Sequence, residues 1–329
     1  MSLPNRHRIL AVPTGRYLSR ALVVTGALTL VFSSCARRES GRFVVGFSQM
    51  ESDNPWRLAQ TKSLREEAAR RGYSLVVTDA QGQTSKQVAD VEDLVARHVN
   101  LILLAPREYE GLAPALQAAK QAGIPVILVD REAAGTAGTD FVTFLGSNFV
   151  EQGRRAAEWL ATETDGQASI VELTLTPGSS VARDRARGFR DEIAKHPRMT
   201  IIASQTGNGS RAQGQSVMQN IAQSFGKQIT AVYAHNDEMA LGAIQALGAA
   251  GLRAGTDVKI ISIDGERAAL EAIQRGELGA TVESNPRFGP LAFDTIDKFR
   301  RGEKIPPKHL ITDRFFDRSN ASQYIATAY

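Results

Sequence analysis

Short apolar runs of five or six residues alternate with amphipathic stretches of 12 to 16 residues along this 329-residue chain, and the alternation restarts once near its middle. A strand buried on both faces needs an unbroken apolar run, while a helix lying on a sheet needs a single apolar stripe. The rhythm therefore prescribes parallel sheets covered by helices. Strands are predicted at Phe43–Ser48, Tyr73–Asp79, Leu101–Ala105 and Val126–Asp130, with helices at Trp56–Arg71, Lys86–His98 and Leu112–Gln121. The second round places strands at Ser169–Leu173, Ile201–Gln205, Ala231–Ala234 and Lys259–Asp264. Its helices fall at Val181–Lys195, Ala212–Ser224, Glu238–Ala250 and Arg267–Arg275. The fold class is thus α/β, with two doubly wound parallel-sheet lobes. Between them, Phe141–Asn148 and Ala280–Ser284 read as short β-like crossings, the second leading to a helix at Phe288–Arg301. Pro306 and Pro307 mark a third crossing. If the last helix returns to the first lobe, residues 43–145 and 285–329 form the N-terminal lobe, residues 146–284 the C-terminal lobe, and a multi-strand hinge joins them.

Charge is distributed unevenly. Lys plus Arg exceed Asp plus Glu by 39 to 35, but Arg6, Arg8, Arg16 and Arg20 all fall within the first 34 residues, which hold no acid. The remaining chain is neutral, so no nucleic-acid partner is expected. Those 34 residues read as a basic n-region followed by the apolar run Ala21–Phe32, which suits a signal peptide and is short for a membrane span. Cys35, the single cysteine, follows Val31-Phe32-Ser33-Ser34 and resembles a lipoprotein lipobox. On this reading residues 1–34 are removed, Cys35 is lipidated and anchors the protein to the membrane, and residues 36–42 form a tether. One cysteine cannot make an internal disulfide, so packing alone must stabilise the domain.

In open α/β sheets, ligands bind beyond the carboxyl ends of the strands, where helix N-termini and loop side chains converge. Asn54-Pro55 gives a cap and a proline at the first helical position, and Thr84 with Gln87 has the spacing of a capping box. Directly after Asn54-Pro55 stand Trp56 and Arg57. An indole face suits the apolar face of a sugar and a guanidinium donates several hydrogen bonds, although Trp56 at this position also suits packing under the loop. Asp130-Arg131 and Asp264 end apolar strands. Such a set accepts and donates hydroxyl bonds, while each residue alone is also compatible with a helix cap. Asn236 is placed to do both, with Asp237 the expected cap of the following helix. Arg183 and Arg185 are separated by about 200° on a helix, so at most one points into a cleft.

Enzyme signatures are missing. His7, His98, His196, His235 and His309 lack metal-ligand spacing, and neither a P-loop nor a G-x-S-x-G motif occurs. The sequence therefore predicts no catalytic residues, metal or cofactor. Gly207-Asn208-Gly209-Ser210-Arg211 reads as a flexible turn, and Trp159 as a core residue.

Taken together, Asn54-Pro55-Trp56-Arg57, Pro125 to Asp130-Arg131, Arg183-Asp184-Arg185 with Gly188-Phe189, Val217-Met218-Gln219-Asn220, Ala234 to Ala243, and Ile263-Asp264-Gly265 resemble the periplasmic sugar-binding proteins of the ribose and galactose type. The run Val232 to Asp237, together with Val282-Glu283, is similar to the galactofuranose-binding branch. The resemblance implies a type I periplasmic binding protein fold that binds a monosaccharide and delivers it to the transmembrane subunits of an ABC permease. A monomer is expected, with a sugar-sensing receptor for chemotaxis or a sensor kinase as the alternative role. The sugar contacts it implies are Asn54, Trp56, Arg57, Asp130, Arg131, Arg185, Asn236 and Asp264, with Glu283 or Ser284 on the hinge. Gly209 stands where the family commonly has an aromatic wall. Repressors that share this core carry an N-terminal helix-turn-helix, whose place a leader occupies here.

Overall fold

The computed structural model describes residues 42–329. The leader, Cys35 and most of the tether lie outside the described residues. The first lobe is built from β1 (Val44–Gln49), α1 (Pro55–Arg71), β2 (Ser74–Asp79), α2 (Thr84–Ala96), β3 (Leu101–Leu104), α3 (Ala113–Gln121), β4 (Val126–Val129) and β5 (Thr143–Ser147). The second contains α4 (Phe149–Glu163), β6 (Gln167–Thr174), α5 (Ser180–Ile193), β7 (Arg198–Thr206), α6 (Arg211–Phe225), β8 (Ala231–Ala234), α7 (Asp237–Ala249), β9 (Lys259–Asp264), α8 (Arg267–Arg275) and β10 (Ala280–Glu283). The chain then runs through α9 (Gly289–Arg300), β11 (Lys308–Ile311), β12 (Phe315–Asp317) and α10 (Ala321–Tyr324).

Two six-stranded sheets result, ordered β11-β5-β4-β3-β1-β2 and β12-β10-β9-β8-β6-β7. Every pairing is parallel except β10 with β12. The strand interiors are fully buried, as in Leu101–Leu104 and Val126–Val129, which is why they read as continuous apolar runs. Helices cover both faces; α1 packs beside α9 on the first sheet, and α4 beside α5 on the second.

The hinge differs from the sequence expectation. Thr143–Ser147 and Ala280–Glu283 are full members of the two sheets, and the crossings fall just after each. Pro306 and Pro307 do not cross; they lead into β11, which pairs with β5 in the first sheet. The third crossing is Thr312–Arg314, and from there β12 pairs with β10 while α10 packs on α8. Residues 315–329 thus belong to the second lobe and not the first, and the first lobe extends to Ser147 instead of ending at 145. The physical reason is that β12 is three residues long, too short to show periodicity. Thr84 is also not a capping box: Gln83 precedes the helix, Thr84 Oγ1 donates to Glu108, and Gln87 bridges Ala105 O and Arg107 N.

One close approach sets the geometry of the cleft. A Cβ on Gly153 of α4 would lie 2.1 Å from Arg185 O, and one on Gly188 of α5 would lie 1.9 Å from Val150 O. Only glycine at both positions lets these helices touch backbone to backbone, which brings Arg185 against the start of α4.

Candidate functional site

The carboxyl ends of both sheets face one another across a narrow cleft whose empty space, open solvent included, is about 400 Å³. Asn54, Trp56, Arg57, Asp130 and Arg131 line it from the first lobe, and Arg185, Asn236 and Asp264 from the second.

The first-lobe wall begins at the turn into α1. Asn54 Oδ1 accepts from Arg57 N at 3.0 Å, as the cap predicted, and Pro55 opens the helix. This fixes Trp56 and Arg57 at the helix start. The Arg57 guanidinium lies 4.5 Å from the Trp56 ring centroid, and its Nη1 donates to Asp130 Oδ2 at 2.6 Å and Gln60 Oε1 at 3.2 Å. Trp56 Nε1 donates to Ser284 O at 2.7 Å, so this side chain serves packing and the second crossing as well as the cavity. Asp130 adopts a left-handed backbone with φ 67°, and its N donates to Leu145 O at 2.8 Å. Such a conformation is rare outside glycine and concentrates at functional sites. Arg131 Nη1 donates to Arg107 O at 3.1 Å, whereas its buried Nε has no hydrogen-bond partner in the protein. Burial, aided by the neighbouring Arg57, pushes the Arg131 guanidinium down to about 10 despite Asp130.

The second-lobe wall is held mainly by neutral groups. Arg185 Nε donates to Gln152 Oε1 at 2.9 Å and Nη1 to His235 O at 2.5 Å, while Nη2 stands 3.5 Å from Asp264 Oδ1. Arg183, by contrast, is half-exposed and paired with Asp184, so the inward residue of the two is Arg185. Burial raises the Asp264 carboxyl well above its ordinary value, against the pull of Arg185. Asn236 Oδ1 accepts from Met239 N at 3.0 Å and Nδ2 donates to Gly209 O at 2.9 Å. Asn236, not Asp237, therefore caps α7. Asp237 is buried and accepts from Ser262, Thr281, Gly265 N and Glu266 N, bracing the loop that carries Asp264.

Glu283 does not line the cavity. Its buried carboxylate is bound to Arg314 Nε at 2.8 Å and Nη2 at 2.5 Å in the third crossing, and Ser284 lines the cavity in its place. Adjacent strand residues point to opposite faces, so only one of the two can face the ligand.

Sequence reasoning missed Glu51, Leu175, Val181 and Asn208, which also line the cavity. Leu175 explains the glycine at 209: a Cβ there would lie 3.1 Å from Leu175 Cδ2, and Gly209 itself has φ 75°. Leu175, just after β6, thus stands against the start of any side chain at 209, and a single leucine after a strand carries no signal of that role.

Paired lobes, three crossings and a polar cleft at the carboxyl edges of both sheets define the class: a type I periplasmic binding protein. A family model described as a periplasmic binding protein domain matches residues 45–304. The chain is 37% identical over 296 residues to the galactofuranose-binding protein YtfQ of Escherichia coli (strain K12), covering 89% of this chain and 92% of that protein. It is 34% identical to the ribose import binding protein RbsB of Bacillus subtilis (strain 168), over 80% of this chain and 83% of that one. A solved structure, the periplasmic binding protein component of the arabinose ABC transporter from Shewanella sp. ANA-3 bound to α- and β-L-arabinofuranose, superimposes with a TM-score of 0.83 at 39% identity. It covers 86% of this chain and 95% of its own. The chain belongs to the periplasmic binding protein family.

Proposed function

We propose that this protein is an exported, monomeric sugar-binding component of an ABC importer that closes its two lobes over one furanose-type monosaccharide and presents it to the permease. The observation that carries the reading is the convergence of Trp56, Arg57, Asp130 and Arg131 with Arg185, Asn236 and Asp264 around one small cavity. Carboxylates accept from vicinal hydroxyls and guanidinium groups donate to them, and these charge-assisted bonds strengthen once closure excludes water. Arg131 Nε, buried without a hydrogen-bond partner in the protein, is a donor for the ligand. The furanose assignment is supported by the relatives named for galactofuranose and arabinofuranose binding. Nothing in this function makes or breaks a bond. Delivery follows from closure, because only the closed form sets both lobes together for a membrane partner.

The reading is tested by thermal melts of the mature protein against D-ribose, L-arabinose, D-galactose and a galactofuranoside. A sugar at 100 times its Kd should add about 2.7 kcal/mol of stability. No shift with any of the four contradicts the ligand class. We further propose that Cys35 carries the lipid anchor. Cys35→Ser should move the protein from the membrane to the soluble fraction, and identical fractionation contradicts the anchor. Loss of uptake of the bound sugar on deletion separates transport from a purely sensory role.

A further inference from the structure

Arg185 is held by a side chain that also reaches the hinge. Gln152, 1% exposed, stands on the first turn of α4 just past the first crossing, and its Oε1 accepts from Arg185 Nε at 2.9 Å. Its Nε2 donates to Glu283 O at 3.2 Å, at the end of β10, and to Asp313 Oδ2 at 2.8 Å, in the third crossing. The other carboxylate oxygen, Asp313 Oδ1, accepts from Ser147 Oγ at 2.9 Å, at the end of β5. Arg155 Nη1 donates to Asp313 O at 2.8 Å. One glutamine and one carboxylate thereby join the ends of all three crossings to an arginine of the cavity.

We propose that Gln152 and Asp313 are positioning residues that aim Arg185 at the ligand and tie its orientation to the angle between the lobes. The inference rests on the ligand-binding reading of the cleft. Ser147 ends β5 in the first lobe and Gln152 lies in the first turn of α4 in the second, so rotation about the crossings changes their separation while Asp313 bonds to both. Hydrogen bonds weaken steeply with misalignment, and a buried polar group left without its partner is costly. The lobe angle that satisfies both bonds is therefore also the one at which Gln152 holds Arg185 in place. A leucine at 152 would fill similar space and make none of these bonds.

The test compares the wild-type protein with Gln152→Leu, Asp313→Ala and Asp313→Asn, using L-arabinose and D-ribose as probes in calorimetry and small-angle scattering. Gln152→Leu and Asp313→Ala should each weaken binding by about tenfold or more, and should enlarge the radius of gyration of the sugar-saturated protein. Asparagine keeps its oxygen for Gln152 Nε2 and turns its NH2 to the Ser147 hydroxyl, which then accepts, so Asp313→Asn should remain within about threefold of the wild type. A merely structural role would lower the melting temperature without moving affinity or the saturated radius. Wild-type affinity in Gln152→Leu, or an Asp313→Asn as impaired as Asp313→Ala, overturns the proposal. If neither sugar binds the wild-type protein, the ligand reading passes to the remaining sugars of the thermal screen, and the ligand-free scattering curves decide this one. A curve for Gln152→Leu that differs from the wild type supports the latch, and superimposable curves refute it.

Discussion

The two walls of the cleft solve the problem of burying charge differently. On the first-lobe side, Asp130 sits between Arg57 at 2.6 Å and Arg131 at 3.6 Å, so its charge is compensated before any ligand arrives. On the second-lobe side, Arg185 is held by a carbonyl and an amide, Leu175 and Val181 contribute apolar surface, and Asp264 has only a 3.5 Å approach from Arg185. Its carboxyl is correspondingly raised, by burial and by the nearby Asp237 and Asp130 carboxylates. One wall already pairs its carboxylate and keeps only the Arg131 Nε for the ligand, and the other is completed by what it binds.

The largest expected effect separates the two aspartates. Asp130→Ala strands Arg57 and Arg131 without their counter-charge, and breaking a buried pair from one side costs about 3–5 kcal/mol. Asp264→Ala removes a carboxyl that burial already disfavours, so the ligand-free melting temperature should hold or rise. Calorimetric melts that fall equally for both variants would break the contrast between the walls.

The seam between the lobes should respond to pH. Burial pushes the Asp313 carboxyl up to about 6 despite hydrogen bonds from Gln152 and Ser147 and the charge of Arg185, and Glu283 adds to the rise. The other charges at this point are Arg155, bound to Asp313 O, and Arg314, bound to Glu283. The folded state thus holds a proton that the unfolded chain releases near 3.8. Its contribution to stability is full below that value and is lost as pH rises through 6. Asp313→Asn should melt with the wild type near pH 4 and exceed it by up to about 3 kcal/mol above pH 6. Parallel melting curves across that range would contradict the assignment.

At Gly209 the second wall can be probed directly. Gly209→Phe meets both the positive φ and Leu175, and overpacking of this kind costs about 1–3 kcal/mol, read as weaker sugar binding. Tighter binding would show that Leu175 does not fill the space. The smallest effect belongs to Trp56→Phe, which keeps an aromatic face and loses the bond to Ser284 O. It should cost about 1 kcal/mol of affinity, and an unchanged Kd would show that this bond does not tie the first wall to the second crossing.

Much of this organisation was legible because strand interiors and helix stripes leave strong periodic signals. Arg267–Arg275 falls where the pattern places it, and the residues at or after the ends of β1, β4 and β9 carry the first-wall and Asp264 chemistry as strand-end reasoning expects. What was illegible depends on facing and on distant partners. Asn236 and Asp237 are both good caps by composition, and only the buried cluster of donors made by Ser262, Thr281 and two backbone N–H groups takes Asp237 away from that role. Glu283 and Ser284 are neighbours on a strand end whose inward face depends on the pairing of β10. Gln152 is an ordinary polar residue on a helix until Arg185, Glu283 and Asp313 are brought to it from elsewhere in the chain.

The central claim is that the interlobe cavity binds the sugar and that the second wall needs it. It is tested most directly by calorimetric titration of the wild-type and Asp264→Ala proteins with the sugar that gives the largest thermal shift. Loss of one charged hydrogen-bonding partner in a desolvated cleft should cost about 1.5–3 kcal/mol, a rise of roughly 10- to 150-fold in Kd, with the variant still folded. Equal Kd values for the two proteins would contradict it.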